Sequence, residues 1–267
     1  MSHCEARVVA GVEVIPICDA VGPMGESLRR PVEETFRNAR PADWTGLSTT
    51  EWILHFHVHL LRAHGRLALV DTGVGGPASP ASSWAPVPGA LPKRLAALGV
   101  APADIDVVVL THLHSDHYSG ALGEHGPAFP NARHLVQRAE AEAAGEQVRD
   151  VLLRPLGDLL WLADGTAEVI PGVRALLAPG HTPGHQIVEV GDLVITADLL
   201  HHPVQLVNPR VTYLYDDDPE QAVRTRVEVL ERVRSHGGVI APAHFAEPFI
   251  ELSGWRPRDE AAAAGPA

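Results

Sequence analysis

Cysteine is nearly absent: Cys4 and Cys18 are the only two in 267 residues, both near the N-terminal end and without CxxC spacing. That excludes a disulfide framework and fits a reducing compartment. Positive charge is also scarce. Twenty-one Lys and Arg face 33 Asp and Glu, for a formal net charge of −12, and no basic block offsets the deficit. Phosphate-backbone binding needs a basic surface, so no nucleic-acid partner is expected, and the acidity reads as solubility. No apolar run reaches the roughly 18 residues that span a bilayer. The opening segment MSHCEARVVAGVEVIPI lacks a basic region followed by a long apolar one. The expectation is a cytoplasmic protein with no membrane partner. Aromatic residues are few, with three Tyr and five Phe, yet there are sixteen His. That imbalance directs attention to metal ligation and proton transfer.

What remains is ordinary for a globular chain with a sizeable core: 45% hydrophobic and 20% charged residues. The pattern predicts a strand over 7–17, then a Pro-, Gly- and Arg-rich region with a short helix around Val32–Arg40. EWILHFHVHLL (51–61) alternates as a strand, and GRLALVDTG (65–73) is its hairpin partner. A loop at 74–89 leads to a helix over 91–99 and a buried strand over 104–111. A strand at 132–137 and a helix at 138–145 follow, and residues 147–162 read as helical with Pro155 and Gly157 as interruptions. Strands at 167–170, 173–178 and 185–198 come next, the last a hairpin turning at Gly191–Asp192. The clearest helix spans 218–238, with Asp218 as N-cap, Pro219 at the first position and Gly237 at the end. A strand and loop at 239–245 close the series. There is no internal repeat and no low-complexity linker, so one domain over 1–267 is expected, with a frayed tail at about 257–267.

The stretch VVVLTHLHSDHYSG (107–120) carries the chemistry. An apolar run ends, and His112, His114, Asp116 and His117 follow within six positions. Imidazole nitrogen and carboxylate oxygen are ligands for a borderline-soft ion such as Zn²⁺. His112 and His114 point the same way on an extended backbone, while Asp116 and His117 fall beyond the strand end. That arrangement offers one pair of ligands to each of two nearby ions. Four ligands are too few for two catalytic ions, so others must come from the ends of other strands. His181 in APGHTPGH, Asp198 closing LVITAD and His244 in VIAPAH each stand where an apolar run stops.

HxHxDH, GHTPGH, an Asp at a strand end and a late His, in that order, resemble the metallo-β-lactamase superfamily. The resemblance runs from the Asp-Thr-Gly turn at 71–73 to His244. It implies an α/β fold, an αββα sandwich of two mixed sheets with helices on the outer faces and the site at one edge. It implies that His112, His114 and His181 bind one metal, that Asp116, His117 and His244 bind the other, and that Asp198 bridges them. Asp71 and His185 then stand behind the ligands. The cofactor is two divalent ions, zinc ahead of Fe, Mn or Co. The implied chemistry is attack of a metal-bridging hydroxide on a carbonyl or phosphoryl centre, which makes Asp116 and Asp198 catalytic as well as ligating.

Other residues invite similar readings. His55, His57 and His59 alternate in LHFHVH, but no acidic or His partner follows nearby, and they are expected as polar-face histidines at a rim. His201 and His202 lie just after Asp198, so at least one belongs near the metals. In the N-acyl-homoserine lactonase branch a Tyr three residues after that Asp assists the substrate. His201 occupies the equivalent position here, and an imidazole there can donate a proton. Trp44, Trp84, Tyr213 and Tyr215 either line an acyl pocket or anchor loops; Trp161 and Trp255 are assigned to packing.

Within the superfamily, glyoxalase II-like enzymes carry a helical C-terminal domain, whereas only 23 residues follow His244. The flavodiiron branch has Glu in place of His114, β-lactamases lack the bridging Asp, and the RNA-processing nucleases carry inserted elements and basic surfaces. The chain most resembles the lactonase and organophosphate-hydrolase-like group. The expectation is a dinuclear metal-dependent hydrolase whose partner is a small ester or lactone; a homodimer is compatible with the resemblance. The alternatives are a phosphotriester or aryl-ester hydrolase of the same fold, a mononuclear iron oxidoreductase like the persulfide dioxygenases, and a binding protein with a dead site.

Overall fold

The computed structural model of the chain describes residues 5–124 and 126–257. The expected frayed tail lies almost wholly outside them. Two mixed sheets form the frame. The first contains β1 (Arg7–Val9), β2 (Val12–Pro23), β3 (Ile53–Ala63), β4 (Arg66–Val70), β5 (Val107–Val109), β6 (Arg133–Gln137) and β7 (Leu160–Ala163), in that spatial order. β1 to β4 pair antiparallel and β4 to β7 parallel. The second contains β8 (Thr166–Ile170), β9 (Val173–Leu177), β10 (Gln186–Val190), β11 (Leu193–Ala197), β12 (Val239–Pro242) and β13 (Ile250–Glu251), again in sequence order. Only β11 and β12 are parallel there, because a long crossover through α4 (Pro219–Ser235) joins them.

Alternation along the strands builds the layers. Val12, Val14, Leu61, Ala68, Val70 and Val109 face one way and meet Val173, Ala175, Val188, Val190 and Ile195 of the second sheet. Their neighbours Ile15, Ile17, Leu60, Leu69 and Val108 face outward and are covered by α1 (Leu91–Ala97) and by the helical turns around Leu152 and Leu156. On the far side Ile187, Val194 and Ile240 are covered by Val229, Leu230 and Val233 of α4. The result is the αββα sandwich the resemblance implied. α4 begins as read from sequence: the Asp218 carboxylate accepts the Gln221 N–H at 2.9 Å, with Pro219 at the first helical position.

Three expectations change. The single strand over 7–17 is a hairpin, because Ala10 and Gly11 both take positive φ and turn the chain within two residues. The helix expected around 32–40 is helical only over Val32–Thr35, after which Phe36–Arg37 pairs with Thr212–Tyr213. The helical stretch at 147–162 stops at Leu159, and Leu160–Ala163 is an edge strand parallel to β6. A short apolar run such as LLWLA has no helix-or-strand preference of its own; the open edge of β6 supplies the partner.

His134, in β6, is fully buried with its Nδ1 on the Ala132 carbonyl. Burial pushes its pKa down from 6.5 to about 4, with the hydrogen bond opposing. The folded state therefore holds it neutral while the unfolded chain protonates it. Stability present above pH 6.5 is lost as pH falls toward 4, by up to about 3 kcal/mol for one such group. His134→Leu should flatten the decline of urea-unfolding free energy between pH 6.5 and 4. Equal slopes in both proteins would show that His134 is charged in the fold.

Candidate metal centre

Strand ends deliver the polar residues. β4 ends at Val70 and Asp71 follows; β5 ends at Val109, two residues before Thr111 and three before His112; β11 ends at Ala197 before Asp198; β12 ends at Pro242, two residues before His244. Asp71 and Ala197 carry positive φ, at 61° and 44°. Backbone strain of this kind in non-glycine residues costs roughly 1–3 kcal/mol each and collects at functional sites. His114 precedes α2 (Ser115–Tyr118), whose single turn carries Asp116 and His117.

The seven residues singled out as ligands fall into two groups that share one carboxylate. His112, His114, His181 and Asp198 each bring one ligand atom within 4.8 Å of the others, and so do Asp116, His117, Asp198 and His244. In the first group, His114 Nδ1 lies 3.1 Å from His112 Nε2 and 3.0 Å from His181 Nε2. The three rings stand nearly perpendicular to one another, so three nitrogens converge on one point. In the second, His117 Nε2 lies 3.3 Å from Asp116 Oδ2 and 3.1 Å from Asp198 Oδ1, and His244 Nε2 lies 3.5 Å from Asp116 Oδ2. The other oxygen of Asp198 reaches His201 Nε2 at 3.0 Å and His181 Nε2 at 3.5 Å.

The remote nitrogens fix the inward ones. His112 Nδ1 meets the Thr111 hydroxyl at 3.1 Å, and that hydroxyl donates to Asp71. His117 Nδ1 donates to Asp71 at 2.8 Å, His181 Nδ1 to Asp216 at 2.9 Å, and His244 Nδ1 to the His55 carbonyl at 2.9 Å. With the outer nitrogen protonated, each inner nitrogen presents a lone pair. Among the described residues, buried His117 Nε2 and Asp198 Oδ1 have no hydrogen-bond partner. This donor set, N and O atoms with orphaned inward lone pairs, fits a pair of divalent cations.

Electrostatics agree. Burial, then the neighbouring imidazoles, push His112 and His181 well below the usual pKa, so both are neutral. Burial pushes His117 the same way, but Asp198, Asp116 and Asp71 outweigh it and favour positive charge at that point. Burial would raise Asp198, yet His117, His244, His201 and His112 hold it well below the ordinary carboxylate range.

Several supporting residues carried no motif. Glu140, buried at the start of α3 (Arg138–Ala143), accepts the Leu113 N–H at 2.8 Å and the Gly184 N–H at 2.9 Å. One carboxylate thus locks the HxHxDH loop to the GHTPGH loop. Gly184 lies so close that an added Cβ would sit 2.3 Å from the Glu140 nitrogen. Arg226, fully buried on α4, donates to the carbonyls of Leu199, Pro209 and Val211 and lies 3.6 Å from Asp216. An Arg on a helix face is the one available signal, and sequence spacing does not reveal what it reaches.

The ambiguous residues separate. His201 is at the centre, its ring stacked on Tyr213 at 3.7 Å. His202 packs among Phe36, Trp44 and Trp52. His57 and His59 are not rim residues: both are buried on the inner face of β3. Trp44 anchors a loop in the cluster with Phe36 and Val204. A cavity of about 160 Å³ opens over the centre, walled by Met24, Leu28, Leu54, Trp84, Tyr213 and Tyr215, and Met24 also borders an open groove of about 820 Å³. Trp84 is fixed by its indole N–H on Ser115 at 3.0 Å. Asp71 and His185 stand behind the ligands, His185 with Nδ1 on the Ala178 carbonyl.

A two-sheet sandwich with His and Asp side chains gathered at its strand ends defines the class: a two-sheet α/β fold with a candidate metal centre at one edge. The sequence model of the Metallo-beta-lactamase superfamily matches residues 57–244, and the chain belongs to that superfamily. An N-acyl homoserine lactonase from a Bacillus species is 38% identical over 109 residues, 38% of this chain and 41% of its own. One from Bacillus thuringiensis is 32% identical over 158 residues, 56% of this chain and 60% of its own. The chain thus spans less than two thirds of these relatives' length. Among solved structures, the dizinc quorum-quenching lactonase AidC with a bound product superposes with a TM-score of 0.75 at 20% identity, covering 92% of this chain and 96% of that one. The hydrolase AbOPH does so with a TM-score of 0.73 at 21% identity, covering 94% and 93%. Among the described residues no helix is long and apolar enough to cross a membrane.

Glu140→Ala strips two buried N–H groups of their acceptor and should cost about 2–4 kcal/mol. Glu140→Gln, which keeps one acceptor oxygen, should cost about half of that. Urea unfolding measures both; equal stability of Glu140→Ala and the parent would show that the two loops hold their positions without it.

Proposed function

We propose that the chain, as one domain of this fold over 1–267, is a dinuclear metal-dependent hydrolase of a small ester or lactone. The observation that carries this reading is the pair of four-residue ligand groups that share Asp198. His112, His114 and His181 would hold one divalent ion, Asp116, His117 and His244 the other, with Asp198 between them; zinc suits the N and O donors best. Such a pair supplies Lewis-acid polarisation of the scissile carbonyl and acidifies water at neutral pH.

The chain's own residues do the rest. Asp71 and Asp216 keep His117 and His181 in the lone-pair-inward tautomer. His201 Nε2 donates to Asp198 at 3.0 Å, which restrains that carboxylate. His201 also borders the cavity, so the same N–H would steady a developing oxyanion there as a hydrogen-bond donor, without giving up its proton. Tyr213, stacked on His201, keeps its phenolic proton, because burial pushes its pKa well above the usual value. The apolar walls exclude water from around the reacting ester and suit a short acyl group. The curated relatives named as lactonases support a lactone as the substrate class. The complete second group favours two ions over the single iron of an oxidoreductase.

Elemental analysis, with a lactone, aryl-ester and phosphotriester panel on the same sample, tests the reading. Two equivalents of a divalent ion and cleavage of a lactone or ester are expected. One equivalent of iron with oxygen uptake and no cleavage would overturn it, and cleavage of the phosphotriester alone would move the substrate class. Asp198→Asn should lose metal and hydrolysis while its circular dichroism stays that of the parent; parental activity would remove Asp198 from its bridging place. His201→Ala should retain metal and lose turnover, and unchanged kinetics would assign His201 to packing.

A further inference from the structure

A second candidate metal site lies behind the first, on the inner face of the first sheet. Cys18 on β2 pairs directly with His57 on β3, and His55 is two residues along the same strand. A bulge places Asp19 as the extra residue, so Cys18, His55 and His57 share one face. One ligand atom from each lies within 4.8 Å of the others. Cys18 Sγ is 3.6 Å from His55 Nδ1. A tetrahedron with Zn–S of about 2.3 Å and Zn–N of about 2.0 Å has an S···N edge of about 3.5 Å. The His55 and His57 rings are stacked, with centroids 5.5 Å apart. His57 is buried, its Nε2 on the Phe245 carbonyl at 2.9 Å. That bond puts the proton on Nε2 and the lone pair on Nδ1, which has no hydrogen-bond partner among the described residues. An orphaned imidazole nitrogen beside a second imidazole and a thiol is the donor set of a thiophilic ion.

The geometry points to an auxiliary transition-metal site at Cys18, His55 and His57 that takes a zinc-class divalent ion. Binding would replace the thiol S–H by an S–metal bond and release that proton to solvent. Cys18 and His55 are only partly buried, which leaves the fourth position to water. The site is tied to the proposed hydrolytic centre without sharing a ligand: the His55 carbonyl accepts from His244 Nδ1. Asp19, next in the chain, holds the Val74 and Leu91 amides. A filled site would therefore stiffen the strand pair that supports the loop at 74–89.

Cobalt(II) distinguishes the two centres, because only thiolate ligation gives a sulfur-to-cobalt charge-transfer band in the near ultraviolet. The other cysteine, Cys4, is removed as Cys4→Ser, leaving Cys18 as the chain's only thiol. Metal-free Cys4→Ser titrated with cobalt(II) should develop the band and saturate it at one equivalent for that site. Adding Asp198→Asn should leave the band intact, so failure of the hydrolytic reading and failure of this one remain separate. Adding His55→Ala should weaken the cobalt binding read by the band on the order of tenfold or more, since one of three protein ligands is gone. Absence of the band, its appearance only at large excess of metal, or indifference to His55→Ala would each overturn the site.

Discussion

The structure depends on an electrostatic debt at the edge of the sandwich. Five imidazoles and two carboxylates point their lone pairs into one small volume, nearly all of them removed from water. Among the described residues no Lys or Arg lines the cavity above them. Burying charge without a partner costs several kcal/mol per group. The three carboxylates around His117, which stabilise a proton on that ring, would stabilise a cation in its place. Everything around the centre serves to keep these groups from turning away.

That restraint comes in two shells. Asp71, Asp216, Thr111 and the His55 carbonyl fix the imidazoles by their outer nitrogens. Behind them Glu140 and Arg226 fix the loops by their backbones. The frame makes this practicable. Strands in sequence order within each sheet bring the ends of β4, β5, β11 and β12 together, so His and Asp side chains far apart in the chain arrive on rigid supports. The positive φ at Asp71 and Ala197 is the strain accepted to turn the chain there.

The cavity sets the scale of what the centre can serve. About 160 Å³ is small beside the usual ligand pocket of roughly 300–1,000 Å³. Its apolar wall, with Trp84 pinned to Ser115 and Tyr213 stacked on His201, leaves space over the centre for a compact, largely apolar group. The adjoining groove past Met24 leaves room for a longer substituent.

Much of this was legible in the chain. The alternation of apolar residues and the Asp-Pro start of α4 marked most elements, and the dense HxHxDH run, GHTPGH, Asp198 and His244 marked every member of the two side-chain groups that gather at the sheet edge. These signals are local: a period of two, a cap, a ligand at the end of an apolar run. Tertiary structure alone decided the rest. β7 is a strand because the edge of β6 is open to it. His202 left the centre for an aromatic cluster while His201, one residue away, turned onto Asp198. His57 and His59 faced inward, and Cys18 met His55 across a strand pair 37 residues apart in sequence. Glu140, Asp216 and Arg226 took their roles from atoms they reach in space. Sequence determines which donors the chain owns and where its strands stop; which way a side chain turns, and what it meets there, is set by packing between segments that are strangers in sequence.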